Sequence, residues 1–309
     1  MLQVTVQIFS GRPNPTWVVT DEDATRTLLE TAAQEAGDAI GLPGAGYDGL
    51  GYREVVVTTA ADDQLAWPER LPQAFALGTI AAADPSSSGE LARRLIATMD
   101  QYRDVTLAEH ALTPIGSQTQ DFVLEQLDTF LENPPAWNRA MKAPSQPAER
   151  SSRQEKDVAE TCTYEVSQFN PDYWNRPEVQ PYNNCYNYAR NYRTDTFAQP
   201  GRAHGAQTST MACSNVTQAA LADGLVYRYH CLPDSEYPRR LMALVVWPGW
   251  DYHWYREHKG DFWGHKPGAT AARNYDNSGA LITNPETCDR GGYTDFCRYF
   301  YAGKSVVIN

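Results

Sequence analysis

The sequence predicts an α+β protein built as two domains, and three observations carry that reading. The chain has 309 residues, more than one hydrophobic core commonly organises. Segments with strand alternation and segments with helical spacing both occur, grouped in blocks rather than strictly interleaved. Residues 133–160 (NPPAWNRAMKAPSQPAERSSRQEKDVAE) mix Pro, Ser and charge with little apolar periodicity, which is linker composition. The expected division is an acidic α+β domain over 1–135, a linker over 136–160, and a second domain over 161–309 in which helices precede an antiparallel meander.

Residues 2–9 (LQVTVQIF) alternate as a strand does, and SGRPNP after them is a turn. Thr20 or Asp21 is placed to cap a helix running to about Gly37, with Ala24, Leu28, Leu29 and Ala32 at helical spacing. GLPGAGYDGLG is a loop and YREVVVTT (52–59) a second strand. SSSGELARRLIATMDQY and SQTQDFVLEQLDTFL are two further amphipathic helices. Beyond the linker the chain turns aromatic. NNCYNYARNY reads as a short helix capped by Asn183 or Asn184, and SNVTQAALADG as another that ends at Gly224. Strands then dominate: LVYRYH, LMALVVW, DYHWYR, DFWGHK, a segment around AARNYD, and CRYFYA.

The formal net charge is −12. The first 140 residues carry all of it, holding 20 acidic and 8 basic side chains against 18 of each in the remainder. Neither half has the basic footprint that nucleic acid or anionic lipid demands. No apolar run approaches the roughly 18–20 residues needed to span a bilayer, and no basic leader with an apolar stretch opens the sequence. The expectation is a cytoplasmic protein with neither nucleic-acid nor membrane partner. All six cysteines (Cys162, Cys185, Cys213, Cys231, Cys288, Cys297) fall in the second half. An even count suits a disulfide framework in an exported protein; here most are expected to be small buried hydrophobes. No C-x-x-C spacing supports structural zinc.

DYHWYREHKGDFWGHKPG (251–268) places two histidines in an aromatic run. Drawn as a hairpin with the three-residue loop His258-Lys259-Gly260, it opposes Glu257 to Asp261, Tyr255 to Trp263, and His253 to His265. The two imidazoles then share a face. A two-residue Lys-Gly loop would send them to opposite faces. Paired imidazoles permit three roles: members of an aromatic face, metal ligands, or a general base with its orienting partner. The third needs a nucleophile. Cys185 is the candidate, at the start of a predicted helix where the macrodipole and free N–H groups favour a thiolate and can stabilise an oxyanion. An inert buried thiol is the competing reading.

A cysteine opening a helix, a strand over 241–247, His253 on a strand 68 residues after Cys185, and His265 twelve residues later resemble, in order and spacing, the NlpC/P60 branch of papain-like cysteine peptidases. The resemblance covers about 170–268. It implies a papain-like C-terminal domain with a helix-borne Cys and an antiparallel sheet, and an amide hydrolase (peptidase or amidase) working through a thioester. Cys185 would be the nucleophile, and His253 the base that later protonates the leaving amine. His265 would hold the first imidazole, and Tyr173, in PDYWNRPEVQPYNNC, or the Cys185 N–H would support the oxyanion. Asp276 rivals His265 as orienting group, because a carboxylate stabilises imidazolium better than a second imidazole does. A peptide or amide substrate and no cofactor follow from the resemblance. A deamidase, transamidase or acyltransferase of the same fold is the alternative within enzymes. From other classes come a non-catalytic module whose Tyr/Trp-rich face binds a ligand and a metal site at His253 and His265.

Other signals are weaker. Gly44-Ala-Gly46-Tyr-Asp-Gly49 follows a helix and leads into a strand, the reverse of the dinucleotide fingerprint's context, and reads as a loop. Asn274, Asp276, Ser278 and Gly279 follow calcium-loop order, but Pro285 stands at the twelfth position, so a turn at Asn277-Ser278-Gly279 is expected. His204 and the pair His230-Cys231 stay outside the expected site.

Overall fold

The computed structural model describes residues 1–34, 37–60, 67–102, 115–135, 151–156 and 161–309. The chain divides into two compact units, one of Met1–Ile8 and Pro13–Trp137, the other of Phe9–Arg12 and Asn138–Asn309. SGRPNP, expected as one turn, is split between them. Both units combine helices with antiparallel sheets, so the fold class is α+β.

The first unit holds strands β1 (Leu2–Gln7), β2 (Thr16–Val19), β3 (Glu54–Thr59) and β4 (Ala74–Leu77) in the order β2-β1-β3-β4. Its helices are α1 (Glu22–Gln34), α2 (Pro85–Ile96) and α3 (Ser117–Glu132). In β1 the alternation read from the sequence is realised: Leu2, Val4 and Val6 are buried and their neighbours half-buried. β2 and β4 have four residues each, too few to display a period; their ladders to β1 and β3 hold them. Asp84 caps α2 by accepting from the Ser86 and Ser87 amides, with Pro85 in the first turn. The helix expected over 86–102 stops at Ile96 and resumes as a 3-10 turn over Met99–Tyr102.

In the second unit, β5 (Ser151–Lys156) pairs with β6 (Thr161–Val166) along its whole length. That corrects the linker expectation for 151–156. SSRQEK has no apolar alternation, and the ladder to TCTYEV is what makes it a strand. Residues 136–150 and 157–160 of the expected linker lie outside the described residues. Next come α4 (Pro171–Trp174), α5 (Cys185–Arg190), α6 (Cys213–Ala222) and β7 (Val226–Tyr227). β8 (Arg240–Trp247), β9 (Asp251–His258), β10 (Phe262–His265) and β11 (Asp295–Ala302) complete the unit. The main sheet runs β10-β9-β8-β11-β7, antiparallel throughout. The AARNYD segment forms no strand; Arg273 and Tyr275 make isolated bridges to His265 and Leu281.

β8 is buried on both faces, as its unbroken run LMALVVW requires. On one face Met242, Leu244 and Val246 join Tyr252, Trp254 and Phe300 to pack against Cys185, Tyr186 and Ala189 of α5 and Val216 and Ala220 of α6. Among the described residues no helix is long and apolar enough to cross a membrane.

Candidate functional site

α5 starts where the sequence reading placed it. Asn184 caps it with a full capping box: its side chain accepts from the Tyr186 and Asn187 amides, and the Asn187 side chain accepts from the Asn184 amide. The Asn184 side-chain Nδ2 also donates to the carbonyls of Gly11 and Ala198, each at 2.7 Å. Residue 11 therefore packs onto the cap of the cysteine helix. Cys185 itself is fully buried. Burial pushes its thiol well above the usual range, and Asp251 adds to the rise; a backbone hydrogen bond with Trp254 and the Lys266 ammonium offset only part of it. Apolar burial overrides the helix-start effect that a thiolate needs.

His253 and His265 do meet. The His253 Nε2 to His265 Nδ1 distance is 2.8 Å, and both rings are buried. The register differs from the expectation by two residues. His258 opposes Phe262 and Tyr255 opposes His265, with Lys259-Gly260-Asp261 as the loop. Gly260 and Asp261 both adopt left-handed backbone, φ 102° and 63°, which moves the loop one position along. A shift of two preserves strand parity, so the imidazoles still share a face as diagonal neighbours.

The proton positions follow from what each atom can do. His265 Nε2 lies 3.0 Å from the Tyr275 carbonyl, which only accepts, so Nε2 carries the hydrogen. Burial pushes His265 well below the usual imidazole range, with Arg273 adding to the effect. The ring is neutral, and its Nδ1 accepts from His253 Nε2–H. The group that orients the pair is thus the Tyr275 carbonyl. Asp276, the rival candidate, organises a turn instead: it accepts from the amides of Ser278, Ala280 and Asp289 and from the Ser278 hydroxyl.

Cys185 and His253 sit on opposite faces of β9. Tyr252 and Trp254 point toward α5, whereas His253 packs edge-on against Tyr255, His265 and Tyr293. Tyr173 joins a separate cluster with Trp174, Val179, Tyr188 and Ala272. The expected constellation of Cys185, His253, His265, Asp276 and Tyr173 thus comes together only at the two imidazoles.

The sequence reading missed Asp251. It is fully buried, with Oδ2 accepting from the Ser10 amide (2.5 Å), the Gly11 amide (3.1 Å) and the Tyr293 hydroxyl (2.5 Å), while Oδ1 accepts from the Arg12 amide at 2.9 Å. Successive amides of residues 10–12 form a nest around a carboxylate. Burial pushes this carboxyl up, and Tyr293 and the three amides offset only part of the rise. The only sequence signal was an acid at the start of an otherwise aromatic strand.

The cysteines correct the expectation of buried hydrophobes. Cys162 is bonded to Cys231 and Cys213 to Cys297, across 69 and 84 residues; Cys185 and Cys288 are free. His204 pairs with Asp223 at 2.9 Å, and His230 lies edge-on to Tyr227. Among the described residues no three His, Cys, Asp or Glu side chains converge as a metal site.

Comparison with known proteins adds one finding. Insoluble matrix shell protein 1 of Ruditapes philippinarum is 44% identical to the chain over 154 residues, which are 50% of this chain and the whole of that protein. No protein-family profile matches the chain, and no solved structure does.

Proposed function

The chain belongs to the family of insoluble matrix shell protein 1, and on that premise we propose that it is an exported matrix component that acts by binding and cohesion, without catalysis. The observation that carries the proposal is the pair of cross-links Cys162–Cys231 and Cys213–Cys297. Such bonds form and persist in oxidising compartments, so export stands in place of the cytoplasmic expectation. The absence of catalysis is argued from Cys185, which is fully buried, has its pKa raised, and faces away from His253. A papain-like thiol hydrolase retains one support, Cys185 in the first turn of α5. It needs a thiol and an imidazole in reach of each other and of substrate.

The test is cysteine mapping on protein from its natural source. Unfolded without reductant and treated with iodoacetamide, the chain is expected to be labelled at Cys185 and Cys288 alone, with the other four recovered as two linked peptide pairs. Labelling of all six overturns the export reading. In the native protein Cys185 is expected to stay unlabelled. Rapid labelling there that is lost in His253→Ala would restore the hydrolase reading.

A further inference from the structure

A cavity of about 640 Å³ opens in the second unit, with Ser167, Phe169, Asn170, Tyr173, Trp174 and Arg256 in its lining. The volume lies within the range of roughly 300–1,000 Å³ common for small-molecule sites. Three aromatic rings and two arginines, Arg193 and Arg256, stand in the wall. Arg256 decides what fits.

Arg256 is only 2% exposed. Its guanidinium lies over the Tyr188 ring, 4.6 Å from the centroid. Opposite it in the ladder is Gly264, where a Cβ would fall 2.3 Å from the Tyr188 hydroxyl oxygen and 2.8 Å from His258 Nε2. The missing side chain makes room for a hydrogen-bonded relay. His258 Nδ1–H donates to the Ser167 carbonyl at 3.1 Å, since a carbonyl can only accept. Burial first, and Arg256 second, push this imidazole well below its usual range. His258 is neutral, so its Nε2 accepts from the Tyr188 hydroxyl at 2.7 Å. The relay ends on a carbonyl and holds no negative charge.

Among the described residues no carboxylate compensates the guanidinium; Tyr188 is its one polar neighbour of note. Arg256 Nε and Nη1 have no acceptor, and neither has the Ser167 hydroxyl a partner. Burial lowers Arg256, and among the described residues only the Tyr188 side chain acts against that. In turn burial, then Arg256 and Arg190, lower Arg240 to about 9, with Glu165 and Tyr237 opposing. Arg193, also in the wall, is already bound to both carboxylate oxygens of Asp195 at 2.8 Å. A buried cation without a counter-charge is costly, and replacing it with an apolar residue of similar size is often stabilising. Its place in the wall of an open cavity points to a counter-charge supplied from outside.

We propose that this cavity binds a carboxylate carried on a ring-sized body, with the carboxylate neutralising Arg256 and reaching the Ser167 hydroxyl while the ring lies against Phe169, Tyr173 and Trp174. A single negative charge matches the single uncompensated guanidinium, and a planar carboxylate suits its fork. Aromatic walls suit a flat body. The inference does not rest on the matrix reading, because the site is separate from Cys185 and from the cross-links.

Two sources supply that chemistry, a sugar acid and an aromatic acid, and titration of the full chain separates them. The probes are sodium glucuronate and sodium benzoate, with glucose and benzyl alcohol as neutral counterparts, followed by tryptophan fluorescence and calorimetry. At least one acid is expected to bind saturably, about tenfold or more tighter than its neutral counterpart. Arg256→Met is expected to weaken that binding at least about tenfold while melting no lower than the parent chain. Ser167→Ala, which removes one hydroxyl, is expected to weaken it several-fold. The proposal is overturned if neither acid binds up to about 10 mM or if the neutral compounds bind equally. It is also overturned if Arg256→Met leaves binding unchanged, or if that variant melts lower or fails to fold, since Arg256 would then be structural.

Discussion

Asp251→Asn tests whether the carboxylate nest organises the second unit. The substitution keeps size and shape but exchanges one acceptor oxygen for an NH2. All four partners of Asp251 are donors: the amides of Ser10, Gly11 and Arg12 and the Tyr293 hydroxyl. The best orientation keeps the amide oxygen at the Oδ2 position, where three of the four donors converge. The NH2 then faces the Arg12 amide 2.9 Å away, donor against donor. One charge-assisted hydrogen bond, about 1.5–3 kcal/mol, is lost, and one buried N–H is orphaned at a further cost of about 1–3 kcal/mol. Easier desolvation of the neutral amide returns part of this, leaving about 3 kcal/mol of destabilisation. For a unit of this size that corresponds to a melting shift of roughly 6–12 °C. Calorimetry reads the shift, and hydrogen exchange at residues 10–12 reads it locally, with those amides expected to lose protection first. If Asp251→Asn melts within about 2 °C of the parent and the three amides exchange as before, the reasoning fails.

Gly11→Ala strikes the same node sterically: a Cβ would lie 2.4 Å from the Tyr252 ring and 2.5 Å from its backbone oxygen. Because the oxygen belongs to a central strand, a loss of about 3 kcal/mol is expected in urea unfolding; a neutral result would mean the segment moves freely. Reduction of the cross-links, closing loops of 69 and 84 residues, is expected to remove about 4–5 kcal/mol for each by loop entropy, read as a melting point lowered by 10 °C or more (roughly) with dithiothreitol. The third concerns pH. His258 and His265 are held well below the usual imidazole range by burial, so below about pH 6.5 the unfolded chain takes up protons that the folded chain refuses. Their stabilising contribution is full above that pH and falls by about 1.4 kcal/mol per unit for each imidazole as the pH drops. Urea midpoints at pH 7.5 and 5.5 should differ accordingly, and a flat profile would show that the rings titrate normally in the fold.

Local signals carried the elements that were legible in the sequence. The Asn184 cap, the buried run of β8 and the periodic faces of α1 and α3 are local signals, and each was found where its own chemistry placed it, whereas α2 ends six residues short of its expected span. β5 was invisible because its strand character belongs to its partner β6. The pairing of Cys162 with Cys231 and Cys213 with Cys297 was invisible for the same reason, since nothing near a cysteine encodes which distant one it meets. Asp251 was legible as a residue but not as a site: three of its four partners lie some 240 positions away. Arg256 was read only as part of a strand, because an uncompensated charge is defined by what surrounds it in space.

The contrast between the imidazole pair and the cysteine shows which geometric inferences a sequence can support. The hairpin register was off by two, yet the His253–His265 contact survived, because the face of a strand depends only on whether a shift is odd or even. Parity within one hairpin is a local quantity. Which face a helix covers is not, because it depends on how the whole chain closes around the sheet. α5 closes over Tyr252 and Trp254, bringing Cys185 within one residue of His253 along the strand but to the other side of it. Order and spacing of Cys and His are the same for both closures, so they cannot distinguish a catalytic dyad from two unrelated buried groups. A single one-residue bulge in β9 between Asp251 and His253 would have reversed the outcome; the ladder from Trp247–Asp251 to Met242–Arg256 runs without one.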